Sequence, residues 1–115
     1  MAKFIVLYLA PAAVMSEWMQ TPLEQREAEE AKMREDWNAW MTEHGSAITE
    51  TAGAGKTKRV AASGITDVSN DVMLYSIVEA PSHDEVAAMF ANHPHLQIPQ
   101  ATIEVMTANV LPGMG

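Results

Sequence analysis

Asp71–His95, DVMLYSIVEAPSHDEVAAMFANHPH, is the stretch on which the fold turns. Val72, Leu74, Ser76 and Val78 alternate with Met73, Tyr75, Ile77 and Glu79, the period of a β-strand with two different faces. Pro81 breaks the alternation, and Ser82 with Glu85 has the spacing of a capping box, so a helix starts there. Val86, Met89, Phe90 and His93 recur at i, i+3, i+4 and i+7 before Pro94 stops the run. Beyond it, Ile103, Val105 and Thr107 alternate against Thr102, Glu104 and Met106, which predicts a last strand over Thr102–Val110.

Upstream, Lys3–Ala10 admits two readings. One basic residue, an apolar run and Pro11-Ala12-Ala13 resemble a short secretory signal, whereas Ile, Val, Leu and Tyr suit a buried first strand. A single lysine is a thin basic region, and cleavage near Ala13 would remove the best strand in the chain, so the strand is preferred. Met15, Trp18 and Met19 then fall in a short turn or an ordered loop, a flap over the core or over a ligand. Thr21-Pro22-Leu23-Glu24 reads as a capping box with proline at the first helical position, and Gly45 as a left-handed stop. In that helix Trp37, Trp40, Met41 and His44 make an apolar stripe, whereas Glu24, Glu27, Glu29 and Glu30 make a solvated acidic face favoured by the helix dipole. Ala47–Thr51 and Lys58–Ala62 read as short strands. Between them Gly53-Ala54-Gly55-Lys56-Thr57 imitates a phosphate loop, but Glu50 stands where that loop needs glycine and no amphipathic helix follows. A turn that glycine permits is the better account.

The order is strand, long helix, strand or strand pair, strand, short helix, strand. This βαββαβ pattern predicts an α+β, ferredoxin-like fold with one antiparallel sheet and both helices on one side. The other side would expose apolar residues from several strands, a surface that two-fold packing of two sheets into a dimeric α+β barrel would cover. The 115 residues make one domain, 1–115, with 111–115 as a loose tail.

Composition narrows the function classes. Fifteen acidic and seven basic residues leave a formal charge of −8, which argues against nucleic-acid binding and anionic membrane surfaces. No cysteine is present, so disulfides, thiolate catalysis and cysteine-held zinc are excluded. No apolar run approaches the ~20 residues of a membrane span, and a cytoplasmic location is expected.

Phe4-Ile5-Val6-Leu7-Tyr8, the long first helix, Tyr75-Ser76-Ile77-Val78-Glu79-Ala80 and the ending Ile103-Glu104-Val105 together resemble the YCII-related family of small dimeric α+β barrel proteins. Muconolactone isomerase-like and EthD-like barrels share that architecture. The resemblance implies a homodimer. It also implies, for many YCII-like proteins, a histidine of the first helix paired with an aspartate before a proline after the second, a dyad proposed to be catalytic. This chain departs at both places, with Trp37 at the helix position and His93 before Pro94.

In their place stands His93-Pro94-His95. Pro94 biases His93 toward extended backbone, from which two rings can address one point. Neutral imidazoles there suit proton transfer or a metal, and a structural histidine at the negative end of a helix is the plain alternative. His44 and His83 have no fixed spacing to the pair, so neither metal nor cofactor is expected. Tyr75 and Glu104 would join His93 as phenolic donor and carboxylate if all three faced one cavity, an arrangement that a register shift of one residue reverses. Trp37 and Trp40 are expected in the core, with Trp18 free to wall a pocket. The expected function is a dimer that binds an unidentified small organic molecule in a cleft lined by His93, His95, Tyr75, Trp18 and Glu104. The alternative is a cofactor-free isomerase- or lyase-like enzyme with His93 as general base and Tyr75 assisting.

Overall fold

The first strand sits at the centre of the molecule. In the computed structural model, which describes residues 1–113, β1 (Ala2–Leu9) pairs antiparallel with β5 (Val72–Ala80) on one side and β6 (Thr102–Thr107) on the other. β2 (Ile48–Gly53) adds to the far edge of β5, giving the order β2-β5-β1-β6 with every neighbour antiparallel. That order and the two crossover helices, α2 (Leu23–His44) and α3 (His83–Phe90), make the fold α+β and ferredoxin-like, as the element pattern predicts. No helix of the described residues is long and apolar enough to cross a membrane. Met114 and Gly115 of the expected loose tail lie outside the described residues.

The strand period divides the sheet. Phe4, Val6 and Tyr8 of β1 and Val78 and Ala80 of β5 are buried under the helices, packed with Trp40, Val86 and Phe90. Burying each of the larger of these side chains stabilises the fold by roughly 1.5–3 kcal/mol. The α2 stripe behaves as its spacing requires: Trp40 is buried, Trp37 and Met41 pack beside it, and the His44 ring lies tilted at 4.9 Å from Trp40. On the other face stand Leu7, paired with both Tyr75 and Glu104, and Ile5, paired with Ile77 and Met106.

Several local expectations give way to other solutions. Ala12–Met19 is a full helix, α1, closed by the Thr21 amide donating to the Trp18 carbonyl. Thr21 therefore finishes α1 and does not cap α2. Pro22 precedes α2 in an extended conformation without a side-chain cap, its carbonyl accepting from Arg26. Gly45 keeps right-handed φ (−60°) because the chain tightens into a 3₁₀ turn, Gly45–Ala47, before β2. The second capping box forms in part, with Ser82 accepting from the Glu85 amide at 3.2 Å.

The middle of the chain holds a hairpin. β3 (Thr57–Ala61) pairs with β4 (Gly64–Val68) as a two-stranded sheet of its own, turning at Gly64 with φ +138°. β4 was not expected. The glycines of the phosphate-loop lookalike leave β2 and reach β3 without positive φ, and a strand follows where that loop needs a helix. β6 ends at Thr107, three residues before the expected Val110.

Candidate binding site

His93 and His95 are held by the short 3₁₀ helix that Pro94 opens. His93 is extended (φ −66°, ψ 138°), as the following proline requires, and its Nδ1 accepts the His95 amide at 3.0 Å. The ring thus caps the start of Pro94–Gln97, while the His93 amide donates to the Phe90 carbonyl at the end of α3 at 3.1 Å. The His95 ring turns elsewhere, its Nε2 donating to the Leu9 carbonyl at 2.9 Å. Each ring meets Tyr8, at 5.3 and 5.6 Å between centroids, but the two nitrogens do not converge on one point. No group of three or more His, Asp or Glu side chains is gathered to hold a metal ion among the described residues.

Around His93 the sequence builds an aromatic box. Trp37 stands perpendicular to the ring at 4.3 Å, Trp40 crosses it at 4.5 Å and Phe90 stacks on it at 5.6 Å. Each reaches it from a helix position spaced to face the core. Burial is the main reason that His93 is pushed down to about 4, with His95 and His44 adding smaller repulsions. Burial also lowers His95, against the carbonyls of Leu9 and Thr102 that favour its charged form. Because the Nδ1 lone pair of His93 is used by the amide, the neutral ring carries its proton on Nε2. That atom is buried and has no hydrogen-bond partner among the described residues, and the Trp37 and Trp40 indoles lie edge-on to its ring.

Beneath the box runs a hydroxyl chain that the sequence reading missed. The Tyr8 and Ser76 hydroxyls lie 2.7 Å apart, and the Thr51 hydroxyl is 2.7 Å from Ser76. Burial raises the Tyr8 phenol above its ordinary range, with the Ser76 bond acting in the opposite sense. Strand alternation alone puts Tyr8 and Ser76 on the covered face, but pairing each with the other needed the β1–β5 register.

Trp37 has a second surface, on a pocket of about 890 Å³ between α1, α2 and the turn Ile98–Ala101. Val14, Met15 and Trp18 line it from α1, Met33 and Trp37 from α2, and Ile98 from the turn. Trp18 is fixed there, its indole N–H donating to Glu29 at 2.9 Å and the Arg26 guanidinium lying 5.9 Å from its ring centre. Gln100 sits in the left-handed region (φ 62°) at the third position of the turn, where glycine or asparagine is usual, and lines the same pocket. Lys32 and Gln97 both bind Asp36, at 2.6 and 3.0 Å, tying the 3₁₀ helix to α2 and holding the Asp36 carboxyl below its usual range.

The expected site residues therefore separate into three places. Trp18 lines the pocket, His93 and His95 are buried behind Trp37, and Tyr75 and Glu104 lie on the uncovered face of the sheet. The anticipated trio of His93, Tyr75 and Glu104 does not assemble within one chain, because the sheet stands between them. Tyr75 has Glu50 beside it instead, and that carboxylate raises its phenol.

No protein-family profile matches the chain. No curated protein matches it either. Among solved structures it is similar to the 5-chloro-2-hydroxyhydroquinone dehydrochlorinase (TftG) of Burkholderia phenoliruptrix AC1100, solved in complex with 2,5-dihydroxybenzoquinone. The identity is 18%, the match covers 90% of this chain and 91% of that one, and the TM-score is 0.46.

Proposed function

We propose that the protein binds a small, largely apolar organic molecule in the pocket between α1 and α2, as a member of the YCII-like barrels. One observation carries the reading: a cavity of about 890 Å³ bounded by two tryptophans and two methionines, of the size and lining that small-molecule sites have. Trp18 and Trp37 offer flat surfaces, Gln100 and Asn38 offer polar contacts at the edge, and His93 backs the Trp37 wall. His95 and Glu104 drop out of direct contact in this reading. His95 positions the 3₁₀ helix, and Glu104 belongs to the opposite face with Tyr75.

That opposite face is where a second copy packs. Ile5, Leu7, Tyr75 and Ile77 stand together on it, half-buried by their neighbours and covered by no helix among the described residues. Two such faces related by a two-fold axis make the dimeric α+β barrel, and Tyr75 and Glu104 then belong to its interior.

The enzymatic alternative retains one favourable observation, a buried histidine kept neutral at ordinary pH with an unpartnered ring nitrogen. A general base needs a free lone pair, and here Nε2 bears the proton. His93 is better suited to donate a hydrogen bond than to take a proton, so binding ranks above catalysis.

The test uses N-phenyl-1-naphthylamine, a neutral apolar fluorophore. Saturable enhancement in the wild type, weakened at least about tenfold in Met15→Glu or Met33→Glu, is the expected result, since a charge in an apolar pocket costs more than about 1.4 kcal/mol. Fluorescence that rises without saturating, or equally in all three proteins, refutes the pocket as a binding site.

A further inference from the structure

We infer that the β3–β4 hairpin is a docking arm that seats on the acidic start of α2 in a second copy of this chain, an inference that rests on the dimer proposed above. A lone two-stranded ribbon is marginal in water, and this one belongs to no larger sheet. Its cross-strand pair Val60 and Ile65 is 76% and 67% exposed, although side chains of this kind stabilise a ribbon only when something covers them.

Charge says what covers it. Lys56, Lys58 and Arg59 are three of the seven basic residues of a chain whose formal charge is −8, and all stand in four positions at the base of the arm. Lys58 is bound to Asp67 across the ribbon at 2.6 Å, an exposed pair that exchanges partners at little cost. Lys56 and Arg59 have no carboxylate within 4.0 Å among the described residues. The complementary surface is the α1–α2 corner. Met19 and Leu23 are 58% and 60% exposed there, and Glu24 and Glu27 extend from them along the exposed side of α2. Carboxylates three residues apart on a helix repel one another, so a cation brought between them relieves a strain that the single chain keeps. Strand alternation puts Lys58 with Asp67 on the Val60–Ile65 face of the ribbon and Arg59 on the other, so the arm carries cations on both faces beside its apolar pair, and the α1–α2 corner sets exposed carboxylates beside Met19 and Leu23.

In a two-fold dimer the contact occurs twice, the arm of each copy on the helix of the other, and this gives the test. Full-length protein is examined by sedimentation equilibrium at about 50 mM and about 500 mM NaCl, a span over which surface attraction is largely screened. The wild-type dimer is expected to dissociate at least about tenfold more readily at high salt. The arm variant Lys56→Glu/Arg59→Glu and the helix variant Glu24→Lys/Glu27→Lys are each expected to weaken it by a similar factor at low salt. An equimolar mixture of the two variants then restores the wild-type value, because every arm–helix contact in the mixed dimer is again between opposite charges. A dimer that neither variant weakens, or a mixture no tighter than its components, overturns the arm and leaves the sheet-face dimer standing. A wild type that stays monomeric at tens of micromolar overturns both. Carbodiimide coupling of Lys56 to an α2 carboxylate, scored between isotope-labelled and unlabelled copies, supplies a second readout that does not rely on substitution. Cross-links within one copy only count against the arm.

Discussion

The chain has two tyrosines, and one sheet separates them. Tyr8 lies on the covered face, bonded to Ser76 and surrounded by Trp37, Phe90, His93 and His95. Tyr75 lies on the uncovered face opposite Leu7, one residue before Ser76 on the same strand. Both phenols are raised above their ordinary range, Tyr8 by burial and Tyr75 by the carboxylate of Glu50. The same perturbation thus has two origins: one face is covered from within the chain, and no helix among the described residues covers the other.

The sharpest way to break this comparison is to delete each ring. Tyr8→Ala removes a core aromatic and leaves Ser76 and the His93 box with a void, so unfolding by urea is expected to show a loss of about 3–5 kcal/mol. Tyr75→Ala is expected to leave the unfolding of the isolated chain nearly unchanged and to weaken self-association instead. Equal losses of chain stability would mean that the two faces are not different in kind.

A second contrast lies in pH, and it belongs to the covered face. Held near 4 in the fold against 6.5 in the open chain, His93 favours the folded state above pH 6.5. Between those values the unfolded chain binds the proton and the fold does not, so stability falls as pH drops through that window. The His93 contribution is on the order of 3 kcal/mol, and His95, shifted in the same direction by burial, adds to it. Urea midpoints measured from about pH 7.5 down to about pH 4.5 should fall in the wild type and fall less in His93→Phe. An unchanged pH dependence in the variant would place the titration elsewhere.

A smaller effect tests the hydroxyl chain. Ser76→Ala leaves the buried Tyr8 hydroxyl and the Thr51 hydroxyl without their shared partner, and a loss of about 1–3 kcal/mol is expected. Thr51→Ala removes only the outer member and should cost less, since Ser76 keeps Tyr8.

Much of the architecture was legible because it follows from period. Alternation in Val72–Ala80 and the 3.6-residue stripes of α2 and α3 each report one buried face, and those faces can meet in few ways. The hairpin was harder to see. Val60 and Ile65 are buried against nothing among the described residues, so β3 and β4 lack the core-facing pattern from which a strand is recognised. Capping at Thr21 failed for a related reason: the signal is local, and α1 claimed the residue first. The candidate site was legible only in its parts. Trp18, His93, Tyr75 and Glu104 were singled out by residue type, but side-chain facing depends on a register that no single strand contains. Tyr8, Ser76 and Thr51 belong to three strands, and only their pairing makes them a chain of hydroxyls. The stripe of α2 places Trp37 on the core but does not say that one surface of its indole borders a cavity.

The smallest effect bears on the uncovered face and concerns no stability at all. Glu50 and Tyr75 stand on neighbouring strands, and the phenol holds its proton chiefly by bonding to the Glu50 carboxylate, with burial and that carboxylate's charge adding smaller effects in the same direction. Glu50→Gln removes that charge, so an ultraviolet titration should show one phenol ionising at lower pH than before while the Tyr8 phenol keeps its value. Because Tyr8 is raised by burial, neutralising a carboxylate on the far side of the sheet has no route to it. Movement of both phenols would mean that the sheet does not insulate its two faces, and movement of neither would remove Glu50 as the cause. If the dimer forms as proposed, the Glu50→Gln shift is measured with the interface closed over Tyr75. Burial then raises that phenol in both proteins, and the Glu50 effect remains as the difference between them. Repeating the titration in the sheet-face variant Leu7→Arg, which opens the interface, separates the part due to Glu50 from the part due to the second copy.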